Sequence, residues 1–516
     1  MSLIRSAATI GTYTLANRIV GFIREIITAV VLGAGPVADA YFMAVRLPGL
    51  FRSLFDEGVF TTAFVPLFAG TVAERGREVA RLYAGDAFSA LLTLLLSLVL
   101  LGELFMPAIM HVVAPGFAAD PGKFALAVEL TRITFPYLLF IVLVALLGSV
   151  LNAVDRFAAA AATPILPNLF LIAALVAMVV FQLEDSLLLA AALTVGGLAQ
   201  FLWLIVACRR AGLAVRLPRP RLTPGVRRLL AVIGPGILGA GVTQLNLMVS
   251  TAVASLLPTG SVSFLYYADR LNELPLGVIG IAVGTAILPS LSRQARLGDL
   301  AGAAATQNSG VELALLLSLP AAVGLAVLAE PIFLVLFQHG AFGPAETAAA
   351  AAALTAYAAG LPGFVLVRVL VPSFFARGDM ATPVKVALVV MAVNLVLTFL
   401  LMQPLAHVGV ALATVAAGWV NALALLALAL WRGHFRFEPP TRRRLPRIAA
   451  AALVMGAAVL VLRNVLAPVL AVSGIVRLGV LAGLIGAGGV VFLGLILMLG
   501  ITDLRDLRGR LGRQSA

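Results

Sequence analysis

An all-α polytopic membrane protein of fourteen transmembrane helices is the fold class this sequence predicts, on three observations. Of its 516 residues, 62% are hydrophobic and 11% charged, where an ordinary soluble domain has about 45–50% and about 25%. Turn-rich or charged breaks cut the chain into fourteen apolar stretches, each near or above the roughly 20 residues that a spanning helix needs. The basic residues between those stretches fall almost wholly on one side.

The first stretch, 10–32, follows Arg5 and contains Arg18, Arg24 and Glu25. These charges interrupt any short apolar core, so it reads as a retained helix rather than a cleaved signal. The second, 38–68, is punctured by "LPG" at 47–49, and Arg75, Arg77 and Arg81 part it from the third, 82–113. Lys123 precedes the fourth, 124–154; Arg156 then divides it from 158–182, and 187–208 follows. The basic stretch "CRRAGLAVRLPRPRLTPGVRR" (208–228) leads to 227–257 and 261–291, the latter interrupted by Pro275. Beyond Arg293 and Arg296 come 308–337, 347–376, 383–403 and 406–431, with Arg377 and Lys385 at the entry to 383–403. A second basic stretch, "RGHFRFEPPTRRRLPR" (432–447), sets off the last two, 447–466 and 474–500.

Only Lys123, Arg463 and Arg477 fall on one side of the membrane, and Arg18, Arg24, Arg46, Arg52, Arg132, Arg270 and Arg368 fall inside spans. The other 26 of the 36 Lys and Arg share the opposite side, which the positive-inside rule makes the cytoplasm, together with both termini. That asymmetry accounts for most of the net charge of +13, and no nucleic-acid partner is needed. Cys208 is the single cysteine, and His111, His339, His407 and His434 are scattered. No metal site, catalytic residue or cofactor is expected from them.

The linkers divide the chain into an N-terminal six-helix lobe (1–212), a basic cytoplasmic linker (213–226), a second six-helix lobe (227–432), another basic linker (433–446), a C-terminal helix pair (447–500) and a basic cytoplasmic tail (501–516). The lobes repeat sparsely at an offset of 224 residues: Ala44, Arg46, Leu47, Val59, Thr61 and Leu67 recur as Ala268, Arg270, Leu271, Val283, Thr285 and Leu291. Likewise "TP" at 163–164, near Asp155, parallels "TP" at 382–383, near Asp379. Chance likeness between apolar helices is the competing explanation. A true repeat makes two pseudo-symmetric lobes of one orientation, a transporter plan with the site between them.

An arginine at the centre of a helix costs roughly 2.5–3.5 kcal/mol on insertion scales, yet the first two spans hold four. Snorkelling to the headgroups suits a residue near a helix end. Arg18 lies about eight residues inside its span, roughly 12 Å deep, where a polar interior is the better reading. Arg18 and Glu25 are seven apart, as are Asp39 and Arg46, so each pair shares a helix face, and Arg52 and Asp56 are an i, i+4 pair. Proline-punctured backbone at that depth survives only beside protein or a wet cavity. Glu25, Asp39, Asp56, Glu57, Asp269 and Glu273 are too few to neutralise such a cavity. A guanidinium fork matches phosphate oxygens, so Arg18, Arg24, Arg52 and Arg270 point to an anionic, phosphorylated cargo. Structural ion pairing is the alternative for each, and for Arg46 the two are evenly balanced.

Four segments, "NRIVGFIRE" (17–25), "ADAYFMAVRLPGLFRSLFDEGVFTTAFVP" (38–66), "GSVSFLYYADRLNELPLGVIGIAVGTAILPSLS" (260–292) and "TPVK" (382–385), closely resemble the MurJ (MviN) lipid II flippases of the MOP exporter superfamily. The resemblance implies alternating access, moving undecaprenyl-diphosphate-linked disaccharide-pentapeptide from the cytoplasmic to the periplasmic leaflet of the bacterial inner membrane for cell-wall synthesis. It places Arg18, Arg24, Arg52 and Arg270 as diphosphate ligands, and Asp39 at its motif position in the cavity. Asp39, Arg46, Glu57, Asp269 and Glu273 are then expected in gate or ion-pair roles, and the 447–500 pair as a groove for the polyprenyl tail. The implied partners are lipid II, membrane lipids and the cell-wall synthesis machinery, with the chain working as a monomer. Some members bind sodium in the second lobe through acidic residues and an asparagine, but the seventh span here offers no matching carboxylate.

Three other readings are weighed against this one. A flippase for another polyprenyl-diphosphate glycan shares the chemistry. A MATE-like drug exporter has twelve helices and a taste for cations that four arginines do not serve. A membrane enzyme acting on lipid II needs a nucleophile and base or a metal cluster, and the sequence has neither. The glycine-rich "GPGILGAG" (234–241) lacks the Lys-Ser/Thr ending of a P-loop. Coupling is therefore expected from a monovalent cation gradient or from the membrane potential, which would reset a positively charged empty cavity.

Overall fold

Helix is the only long-range regular structure among the described residues of the computed structural model, which are 3–56, 59–183, 185–215, 218–470, 472 and 474–501. They form fifteen α-helices and one 3-10 turn. The chain divides into two compact units. The first runs as far as Ser263 and includes Gly340–Phe342; the second holds Phe264–His339 and the chain from Gly343 onward.

The first unit contains α1 (Leu3–Leu32), α2 (Pro36–Asp56), α3 (Val59–Val113), the 3-10 turn (Pro115–Ala119), α4 (Pro121–Thr134), α5 (Tyr137–Asn152), α6 (Phe157–Ala162), α7 (Ile165–Phe181), α8 (Leu187–Arg210) and α9 (Pro224–Ala254). Within the second expected span, 38–68, α2 is described through Asp56 and α3 from Val59. α3 then passes through the charged 74–81 segment expected as a loop, broken only at Gly76, where φ is 80°. Glu, Arg and Ala are good helix formers, so leaving the apolar region does not end the helix; a glycine that adopts positive φ does. Pro136 and Pro164 divide α4 from α5 and α6 from α7, because each removes a backbone donor. The start of α4 is capped: Asp120 accepts from the Gly122 and Lys123 amides at 3.0 and 3.1 Å, with Pro121 as the first helical residue.

Two glycines interlock in this unit. The Ala341 amide donates to the Val30 carbonyl at 2.8 Å, and Gly33 and Gly340 flank the contact with φ of +61° and +57°. A Cβ on Gly33 would strike the Ala341 carbonyl oxygen, and one on Gly340 the Val30 carbonyl oxygen. Gly33→Ala is expected to lower stability by about 1–3 kcal/mol through the left-handed backbone and this clash, seen as a reduced thermal midpoint in detergent. An unchanged midpoint would refute it.

The second unit contains most of α10 (Ser261–Leu297), then α11 (Leu300–Leu336), α12 (Pro344–Phe375), α13 (Ala381–Trp431), α14 (Pro439–Leu470) and α15 (Ile475–Met498). Its apolar core includes Ile287, Leu291, Val311, Leu361, Val369 and Phe374. The expected spans 383–403 and 406–431 are continuous in α13 except at Ala406, where φ is 47° and ψ −129°. The basic linker after α13 is strapped down: Asn308 donates to the Arg436 carbonyl at 2.8 Å, and Glu312 accepts from Thr441 at 2.5 Å and from Arg444 at 3.1 Å.

Beside that strap, Asp379 accepts from the Thr382 amide at 3.0 Å and pairs with Arg432 at 2.5 Å. Hydrogen bonds from Thr382, with help from Arg432, hold its carboxyl down at about 2, below its ordinary 3.8. A lowered folded value stabilises the fold above the ordinary value and loses that contribution as pH falls from about 4 through about 2. Asp379→Asn is therefore expected to flatten the acid limb of thermal stability between pH 4 and 2. A limb unchanged by the substitution would overturn that assignment.

Nine helical segments of the described residues are long and apolar enough to cross a membrane, two of them 51 residues long. α1, α2, α9 and α10 are not among them; α1, α2 and α10 carry most of the intramembrane charge.

Candidate functional site

A polar cavity of about 290 Å³ opens inside the first unit. Its polar lining includes Asn17 and Arg24 from α1, Arg52 from α2, Asn152 from α5, Asn168 from α7 and Gln200 from α8. Asn17, Gly21 and Arg24 follow one another at helical spacing on one face of α1. Gly21 lies beneath the Asn168 amide, where a Cβ would make ordinary contact at 3.7 Å.

Arg24 donates to Asn168 Oδ1 at 2.9 Å and pairs with the neighbouring Glu25. Thr28 returns a hydroxyl to the Arg24 carbonyl at 2.8 Å. Glu25 is buried while a quarter of the Arg24 side chain stays exposed, so the acid anchors and the cation faces the cavity. Arg52 is exposed and has no partner among the described residues. A cation left unpaired against a polar cavity is a ready binding point for an anion.

The remaining expected site residues stand elsewhere. Arg18 is half-buried on α1, outside the cavity lining. Arg46 is half-buried on α2. Asp39, seven residues before it, is 1% exposed and is bonded to Lys123 at 2.7 Å. It also accepts from the Gly260 amide at 2.8 Å, and from the Ser263 amide and hydroxyl at 3.0 and 2.7 Å. The carboxylate thus serves the unsatisfied amides at the start of α10, where a negative charge is favoured. Lys123 also lies 4.2 Å from the Phe117 ring centre, so the residue counted as a loop cation is a buried structural one.

In the second unit, Arg270 pairs with Glu273 at 2.7 Å and its guanidinium sits 4.9 Å from the Tyr266 ring centre. Asp269 is half-buried next to it. Glu57 lies outside the described residues. An apolar groove of about 600 Å³ lies between α14 and α15, lined by residues such as Val454, Ala458, Val461, Val465 and Val491.

Sequence reasoning missed Asn17, Asn168 and Lys123. The two asparagines had a signal, since polar amides inside apolar spans are unusual. Lys123 had none, because its partner is 84 residues away.

A family profile described as "Lipid II flippase MurJ" matches residues 28–481. A protein of Rhizobium meliloti (strain 1021) named "Probable lipid II flippase MurJ" is 46% identical over 466 residues, covering 89% of this chain and 87% of its own. A solved structure titled "Lipid II flippase MurJ, inward closed conformation" superposes with a TM-score of 0.79 at 25% identity, covering 96% of this chain and 99% of that one. An inward-facing MATE family multidrug transporter of the MOP superfamily superposes with a TM-score of 0.67 at 15% identity, over 80% and 94% of the two chains. That last likeness is one of fold.

Proposed function

This chain belongs to the MurJ lipid II flippase family, and from that premise we propose that Arg24 and Arg52 take the diphosphate of lipid II in the cavity of the first unit, with Arg18 and Arg270 as further cationic contacts. The protein is a transporter, a lipid II flippase serving peptidoglycan synthesis, and lipid II is its transported substrate. The observation that carries the site reading is the pair Arg24 and Arg52 on one polar cavity, the second without a protein partner among the described residues. Two guanidinium forks match the oxygens of a diphosphate in charge and geometry.

Transport runs by alternating access from the cytoplasmic to the periplasmic leaflet of the inner membrane, with both termini cytoplasmic, as the one-sided distribution of Lys and Arg supports. Fourteen spans follow if α4 with α5 and α6 with α7 each cross once, α13 crosses twice about Ala406, and α1, α2, α9 and α10 cross despite their polar residues. Six spans then precede the 213–226 linker, six lie within 227–432, and α14 and α15 form the terminal pair. The groove between that pair, apolar along its length, suits the polyprenyl tail. Asp39, held by Lys123 and by the start of α10, has the bonding expected of a gate residue.

The test is a reconstituted vesicle assay that starts with fluorescent lipid II on one leaflet. Chemically unchanged lipid II is expected to appear on the other leaflet only when the protein is present. Failure to transfer it, or recovery of a processed product, would overturn the reading. Faster transfer of a different polyprenyl-diphosphate glycan would redirect it to that cargo.

A further inference from the structure

We propose that Asn168 is a positioning residue for lipid II transport, fixing where the Arg24 guanidinium stands in the cavity; the proposal rests on the reading of Arg24 as a diphosphate ligand. The two residues are 144 apart in sequence and meet through Arg24 Nη1 donating to Asn168 Oδ1 at 2.9 Å.

The orientation of the Asn168 amide follows from its other contacts. Its Nδ2 donates to Asn17 Oδ1 at 2.9 Å and to the Pro164 carbonyl at 3.2 Å. Reversing the amide would set its oxygen against the Pro164 carbonyl and its NH₂ against a guanidinium, which can only donate. One orientation satisfies all three partners, and it presents an acceptor to Arg24.

The "TP" break supplies this arrangement. Pro164 separates α6 from α7, and Pro167 has no amide hydrogen to give the Thr163 carbonyl four residues earlier. That carbonyl accepts instead from the Leu166 amide at 3.1 Å and from Gln200 Nε2 of α8 at 3.0 Å. The start of α7 is therefore tied to α8 by Gln200 and to α1 by Asn168.

Neutrality matters as much as position. Glu25 already offsets part of the Arg24 charge. A second carboxylate at 168 would cancel the attraction for a diphosphate, whereas an amide holds the guanidinium and leaves its charge available.

The experiment uses the full-length protein in nanodiscs, with lipid II as the probe, and measures half-saturating lipid II for binding alongside the maximal rate of flipping in vesicles. Asn168→Ala is expected to raise the half-saturating concentration roughly tenfold while lowering the maximal rate less. The near-isosteric Asn168→Asp should raise it further, with some loss of thermal midpoint because a carboxylate oxygen would face the Asn17 and Pro164 oxygens that now accept from Nδ2. In an Arg24→Met background, Asn168→Ala should change lipid II binding no further, because a residue that acts through Arg24 has nothing left to act on.

An equal loss from Asn168→Ala in both backgrounds would overturn the proposal, since it would mark a packing role. So would wild-type binding by both Asn168 variants while Arg24→Met binds poorly, an outcome that leaves the diphosphate site standing. Wild-type binding by Arg24→Met would instead remove the diphosphate reading, and the positioning role with it.

Discussion

Replacing Arg52 with alanine is expected to cut lipid II flipping in vesicles at least about tenfold while the protein still inserts and folds. A hydrogen bond to a charged group contributes about 1.5–3 kcal/mol, and Arg52 has no partner among the described residues that its removal would orphan. Losing an arginine from a span also eases insertion by roughly 2.5–3.5 kcal/mol on translocon scales, so an inactive variant would report on binding rather than biogenesis. Arg24→Ala should give a similar loss of flipping together with some loss of stability, because it strands buried Glu25. Arg52→Lys keeps the charge and loses the planar fork, and intermediate activity is expected. Wild-type flipping by both alanine variants would end the diphosphate assignment.

The largest effect on stability is expected at Asp39. Removing one partner of a buried ion pair costs about 3–5 kcal/mol, and Asp39→Ala strands both Lys123 and the amides at the start of α10. A large drop in thermal midpoint should result. Asp39→Asn retains an oxygen for those amides and should cost less. Joining it to Lys123→Met removes the stranded ammonium and should recover part of the loss, since coupled residues are not additive. Equal midpoints for wild type and Asp39→Ala would refute the role assigned to this cluster.

The apolar runs and the intramembrane arginines were legible because each is a local property of the chain, whereas the interruptions read at Pro48 and Pro275 fall inside continuous α2 and α10. Gly76 and Ala406 were less so. A polar segment such as 74–81 predicts departure from the membrane, but nothing in hydropathy says whether the backbone stays helical there, and it does on either side of Gly76. The partner of Asp39 was hidden for a different reason. Helical spacing brought Arg46 onto its face, but the carboxylate turns to Lys123, which the charge count had assigned to a loop. A count by compartment treats every cation as solvated, and burial is decided by neighbours distant in sequence. The same limit hid Asn168. Its amide is visible in the sequence, but the guanidinium that gives it meaning lies 144 residues earlier.

The elbow at Ala406 has a consequence for how the chain is made. Gly409 is packed so closely on the Leu401 carbonyl that a Cβ would overlap it, although eight residues of straight helix would separate the two by about 12 Å. The chain thus doubles back within a few residues, leaving almost no loop between two hydrophobic segments. Such a hairpin favours entry into the bilayer as a unit during synthesis, because neither arm has a polar tether long enough to wait outside. A reporter tag or protease site inserted at 403–408 should therefore stall membrane integration, where the same insertion at the tail beyond 501 should be tolerated.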